Sequence, residues 1–169
     1  MRHSNKFNLK HIMMLLFLVS ATAIFESCKK AAEKTTEKMI EKSIGDKAKV
    51  DIDNEKVTIE TEEGTFTTDA TVHSWPDEAP EEVPEFAEGK VMSVSTQEMD
   101  DTKNWVVIFE EVPQTALQNY KKELEAKGFK INYTTVAGTG GHLAAEKGKL
   151  NVMVMVGDGN ATVTIGSQP

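Results

Sequence analysis

The sequence predicts an α+β fold: antiparallel β-meanders with one principal helix, preceded by a signal peptide and a charged tether. Three observations carry that prediction. Two stretches, one near each end of residues 50–169, alternate apolar and polar residues on either side of two-residue turns. Between them, Leu117, Tyr120 and Leu124 recur at i, i+3 and i+7, a helical stripe. Ahead of both, a basic start runs into an uninterrupted apolar segment.

At the N-terminus, Arg2, His3, Lys6 and Lys10 supply a positive start, and Ile12–Phe25 is an apolar run of fourteen residues. A bilayer crossing takes about twenty apolar residues, so the run is too short for a permanent span and fits a secretory signal. A buried N-terminal helix is the competing reading. Cys28, the single cysteine, follows directly, so no intramolecular disulfide framework exists.

This junction resembles that of bacterial lipoproteins, in which the chain is cut just before a cysteine and diacylglycerol is attached to the sulfur. The resemblance covers residues 1–30. Ser27 suits the small residue expected before the cysteine, whereas Glu26 and Phe25 depart from the usual pattern. It implies a lipid-anchored envelope protein whose mature chain starts at Cys28, the lipid-attachment residue. Lys29 and Lys30 follow without an aspartate; by analogy with Gram-negative sorting, that points to the outer membrane, facing the periplasm. A rival A-x-A site at Ala21-Thr22-Ala23 would instead leave a soluble chain with a free thiol, and an uncleaved anchor is a third possibility.

Residues 28–49 read as a lipidated, Lys/Glu-rich tether. Ala31–Lys42 repeats every four residues, which drifts only about 40° per repeat in a helix and keeps Met39 and Ile40 away from the charges. Large apolar residues are few, so the segment is a weak helix or coil extending about 25–30 Å.

Residues 50–169 form the α+β domain. In its N-terminal hairpins (50–73), a turn at Asn54-Glu55 sets Ile52 opposite Val57 and Val50 opposite Ile59. A second turn at Glu63-Gly64 sets Phe66 opposite Thr61. Val50, Ile52, Val57, Ile59, Phe66, Ala70 and Val72 then share one face. An acidic, proline-rich connector (74–90) follows, its ends pinned by Trp75 and Phe86. The rest (91–169) is a βαβββ-like core. Val91–Ser95 and Trp105–Phe109 read as strands, Pro113 as a first helical position, Gly128 as the helix cap, and Phe129–Tyr133 as a period-two strand. Turns at Lys147-Gly148 and Asp158-Gly159 set Leu143 opposite Val152, Val154 opposite Val163 and Val152 opposite Ile165, under one covering helix.

Charge and residue types exclude more than they include. The net charge is −8, and residues 50–112 alone hold eighteen acidic and three basic residues, which argues against nucleic acid as a partner. The register places His142 across from Met153 with Met155 two residues along. Imidazole and thioethers suit Cu(I), so His142, Met153 and Met155 are a candidate soft-metal site; otherwise the methionines fill a second, partly covered sheet face. Asp51–Glu62 spaces its acids as a calcium loop does, but Lys56 stands where that loop needs glycine. Zinc spacings are absent, Gly138–Gly141 matches no phosphate-binding motif, and Ser74 beside His73 lacks an elbow around it.

No cofactor and no catalytic residue is expected. The expectation is a membrane-anchored, non-catalytic interaction module whose partner is an envelope protein or polymer. The alternative is a soluble periplasmic or lipid-anchored ligand- or Cu(I)-binding protein.

Overall fold

In the computed structural model the described residues are 29–45, 47–99 and 102–167. The leader, both candidate cleavage points and Cys28 lie outside them. Helix α1 (Lys29–Ile44) is followed by strands β1 (Lys49–Asp53), β2 (Lys56–Thr61), β3 (Gly64–Asp69), β4 (Lys90–Met99) and β5 (Thr102–Glu110). Helix α2 (Ala116–Ala126) leads into β6 (Lys130–Ala137), β7 (Gly140–Lys147), β8 (Leu150–Gly157) and β9 (Asn160–Ser167). All nine strands join one antiparallel sheet in the order β1-β2-β3-β4-β5-β9-β8-β7-β6. The fold is α+β, dominated by its sheet.

The two meanders meet at the β5–β9 seam, where Trp105 faces Ile165, Val107 faces Val163 and Phe109 faces Ala161. All six are buried. Each strand there has apolar residues, β-branched or aromatic except for Ala161, at every second position, so one face is continuous apolar surface. Helix α2 closes over it with Leu117, Tyr120 and Leu124. Its C-terminus is a Schellman cap: Phe129 N–H donates to Leu124 O at 2.9 Å and Gly128 N–H to Glu125 O at 3.0 Å, with Gly128 at φ 84°. The helix starts later than Pro113. That residue accepts from Ala116 N–H at 3.0 Å in a preceding turn, and Thr115 is the cap residue.

The connector covers the rest of this core. Phe86 stacks against Phe109 at 4.8 Å and Tyr120 at 5.1 Å, and Trp75 lies 6.4 Å from Phe109. Val83 is buried with them, while its acidic neighbours Glu81, Glu82 and Glu85 stay exposed. Tyr120 Oη–H donates to Pro84 O at 2.8 Å and Asn119 Nδ2–H to Glu88 Oε1 at 2.7 Å, so α2 and the connector hold each other.

Residues 29–44 are not a free tether. They form α1, and Ile40 and Ile44 pack on Val50, Ile52 and Ile59. Registers show which side this is. Ile59 pairs with Phe66, Phe66 with Gln97, and Gln97 with Asn104, so α1 lies on the face opposite the one that buries Trp105 and Val107. One covering helix was the economical arrangement. The structure has two, on opposite faces, because the apolar residues of β1–β3 point away from α2.

Two registers differ from the sequence reading. Phe66 lies opposite Ile59, with Thr61 pairing to Gly64, and Leu143 lies opposite Val154, with Lys147 pairing to Leu150. Each shift is two residues, which keeps the strand residues on their assigned faces, but Val72, expected to share the face of Val50, crosses to the α2 core. The first follows from crowding. Gly64 sits inside β3 at φ 149°, where a Cβ would meet Glu98 O at 1.9 Å. That glycine serves close strand approach, and the turn passes to Glu62-Glu63. Ala70 and Val72 fall beyond β3, and Val72 packs into the α2 core. The segment read as a βαβββ-like core has two strands before its helix and four after.

Gly64→Ala is expected to lower unfolding stability by about 2 kcal/mol or more, since relief requires moving β4 backbone. Chemical denaturation against the parent chain measures it.

Candidate functional site

Helix α1 shields one face of the sheet over β1–β3, and α2 with the connector shields the other face over β4–β9. Besides the charged far face of β1–β3, which carries Lys49, Asp51, Asp53 and Glu60, that leaves about a quarter of the sheet uncovered: the α1-side face across β5, β9, β8, β7 and β6. Its residues follow from alternation. Val106, Thr164, Met153, Ala144 and Tyr133 form one row across the strands, and Ile108, Thr162, Met155, His142 and Thr135 the next. Met153 is 53% exposed, Met155 45% and Tyr133 57%.

Both rows lack a formal charge. Charges gather at the ends, where Lys130 Nζ meets Glu146 Oε1 at 3.1 Å and Lys90 Nζ meets Glu111 Oε1 at 2.5 Å. Hydrogen bonds from Asn132 and then Lys130 hold the Glu146 carboxyl below its ordinary range. The centre is therefore apolar and hydroxyl-bearing, with paired ions at its margin, the layout of a contact surface.

A β-bulge builds one edge of this patch. The β6–β7 register shifts between Ile131 and Tyr133, so Ile131 packs toward the core while Tyr133 turns to the open face. Plain period two puts both on one face; the bulge at Asn132 overrides it. Opposite, Gly141 lies under α2, where a Cβ would meet Thr135 O at 2.4 Å and Leu117 Cδ2 at 2.6 Å. The glycines of 138–141 thus serve a turn and a helix–strand approach.

The candidate soft donors do share the open face, with a changed arrangement. His142 faces Met155, and Met153 faces Ala144. The reason is that the β7–β8 turn moves one residue, to Gly148-Lys149, which moves the register by two; Gly148 is at φ 59°. Among the described residues, no three His, Cys, Asp or Glu side chains converge as a metal cluster. The acids of Asp51–Glu62 spread along β1, β2 and the turns that follow them as surface charges.

A second feature is an open cleft of about 480 Å³ between the connector and the ends of β4 and β5. His73, Ser74, Trp75, Phe86, Lys90 and Phe109 contribute to its walls. His73 Nδ1 lies 3.3 Å from Val91 O and its ring is exposed, so nothing here couples it to Ser74 as a base. Tyr120, beneath the cleft, has its phenol pushed up by burial and acts as a neutral donor. At the opposite end of β5, Lys103 Nζ donates hydrogen bonds to Glu78 and Glu98, which raise its ammonium, and sits 5.5 Å over the Trp105 ring. Among the described residues no helix is long and apolar enough to cross a membrane.

Two features escaped sequence reasoning. The docking of α1 was hidden because only Ile40 and Ile44 signal it within a charged repeat. The bulge at Asn132 had no signal of its own.

Because Met153 and Met155 support no core, the Met153→Ala, Met155→Ala double variant is expected to unfold within about 0.5 kcal/mol of the parent. The denaturation midpoint checks this.

No family model, no curated protein and no solved structure matches the chain.

Proposed function

We propose that this chain is a membrane-anchored envelope lipoprotein, held through diacylglyceryl-modified Cys28, whose folded part is a non-catalytic interaction module. The observation that carries the module reading is the uncovered, uncharged quarter of the sheet centred on Tyr133, Met153 and Met155. Methionine and tyrosine give such a surface adaptable contact area at low cost in polar desolvation. The partner that suits it is an envelope protein or polymer with a flat, largely uncharged contact.

Support for the anchor is the leader: the basic start, the apolar run Ile12–Phe25 and Cys28 behind it. Cleavage before Cys28 makes residues 1–27 a signal peptide; cleavage after Ala23 would start the mature chain at Ile24 with a free thiol. Each buried methylene contributes about 0.8 kcal/mol, so the two or three acyl chains of a lipoprotein hold it far longer than one chain does. Helix α1 begins at Lys29, the residue after Cys28, and spans about 24 Å at 1.5 Å per residue. As it also packs on β1, it acts as a strut that keeps the sheet near the bilayer. Lys29 and Lys30 at the sorting positions favour the outer membrane, facing the periplasm.

Labelled palmitate is expected to enter the wild type and to be lost, with membrane sedimentation, in Cys28→Ala. Crosslinking in intact cells should yield adducts that Met153→Lys, Met155→Lys removes without unfolding the chain. Wild-type protein free of palmitate refutes the anchor; adducts indifferent to the lysines refute the face.

One observation favours a second reading as a Cu(I)-binding protein: His142 and Met155 face each other across β7–β8 with Met153 on the same face. On that reading, Cu(I) titration of the wild type finds one site that the Met153→Ala, Met155→Ala variant loses. Equal binding by both ends it.

A further inference from the structure

A nine-stranded open sheet has two edges, and this one treats them differently. At the β1 edge, Val50 N–H donates to Glu41 Oε1 at 3.1 Å and Ile52 N–H to Glu37 Oε1 at 3.2 Å. The carboxylates come from successive turns of α1, so the helix occupies the donors that a further strand would use. Exposed Lys49, Asp51 and Asp53 add charge along the same strand. This edge is closed.

The β6 edge carries none of these devices. From Ile131 to Gly141 the sequence INYTTVAGTGG has no charge and no proline. The β6–β7 hairpin closes with Ala137 opposite Gly140 across Gly138-Thr139. In that ladder Tyr133, Thr135 and Ala137 bond inward to β7, while Thr134 and Val136 direct their N–H and C=O groups outward. Among the described residues no strand lies beyond β6. Val136 is 56% exposed and Tyr133 57%, although both are strand-forming apolar residues at an edge.

We propose that β6 is a docking edge for a second copy of this chain, pairing antiparallel to β6 of that copy about a two-fold axis at Thr135. Thr134 of one copy then lies opposite Val136 of the other, and both outward-bonding residues find partners. Lys130, the one ionic group on β6, falls beyond the facing turn, so no like charges oppose each other. Charge across the sheet favours the same approach. Residues 50–112 hold eighteen acidic and three basic residues, whereas 113–169 hold four acidic and six basic. Meeting through β6 keeps the acidic halves of two copies at the far ends. Because α1 caps β1, pairing stops at two copies and cannot extend into a filament. The inference rests on the edges alone and requires neither the anchor nor a partner for the open face.

Two such edges bury less than the roughly 1,200–2,000 Å² of a standard interface, so a dissociation constant on the order of micromolar is expected. The experiment uses the full chain carrying Cys28→Ser, in mild detergent, followed by sedimentation velocity over a concentration series. A monomer–dimer equilibrium is expected, with Val136→Lys and, separately, Thr134→Pro each weakening it about tenfold or more. Both substitutions leave the inward ladder intact, and unchanged far-UV circular dichroism verifies that. In the same background, Thr135→Cys should form a disulfide-linked dimer under diamide, whereas Asp51→Cys at the capped edge should not. A chain that stays monomeric throughout, or a dimer indifferent to both substitutions, overturns the proposal. So does a monomeric chain that takes up a foreign β-peptide at β6.

Discussion

The β5–β9 pairing is the constraint on which the rest of this molecule depends. It joins residues 102–110 to residues 160–167, the last of the described strands, and turns two local meanders into one sheet. Without it neither meander closes. The first would present Val94, Trp105, Val107 and Phe109 to water, and the second would present Val152, Val154, Val163 and Ile165. Each of these side chains contributes about 1.5–3 kcal/mol when removed from water, so the seam is where most of the apolar reward of folding is collected. It is also a long-range contact, and its loop-closure entropy must be met before that reward arrives.

Once the seam exists, cover for the two faces follows from different sources. On one face, α2 and the connector meet around Phe86, Phe109 and Tyr120, whose rings pack in tilted and edge-on geometries. Prolines and acids make the connector look like a solvated linker, yet Val83 and Phe86 turn it into a lid, with Tyr120 Oη bonded to its backbone. On the other face, α1 covers only the first three strands. Two isoleucines and two glutamates suffice there, the isoleucines for the apolar patch and the glutamates for the free N–H groups of β1. The open quarter of the sheet is therefore a consequence of geometry: two helices and one connector do not span two faces of nine strands.

That geometry also explains why the candidate surface was only partly legible. His142, Met153 and Met155 share a face by alternation alone, and alternation survives an error of two residues in register. Which of them face one another does not survive it, because a hairpin's register depends on the residue its turn begins with. Tyr133 was misplaced for a different reason. A bulge inserts one residue, and no preference of Asn132 announces it. The open edge, in contrast, was written in the uncharged run Ile131–Gly141, but it becomes meaningful only once β6 is known to be outermost.

By itself the sequence determined which segments are strands, which residues share a face along strands without a bulge, the stripe of α2 and its glycine cap, because these depend on periods of two and 3.6 and on backbone preferences within a few residues. Only the tertiary structure decided that the two meanders form one sheet, that the apolar faces of β1–β3 and of β4–β9 point to opposite sides, and that a lysine-rich segment becomes a helix over the first hairpin. Those outcomes depend on which surfaces meet, and a meeting of surfaces distant in the chain leaves no trace in local pattern.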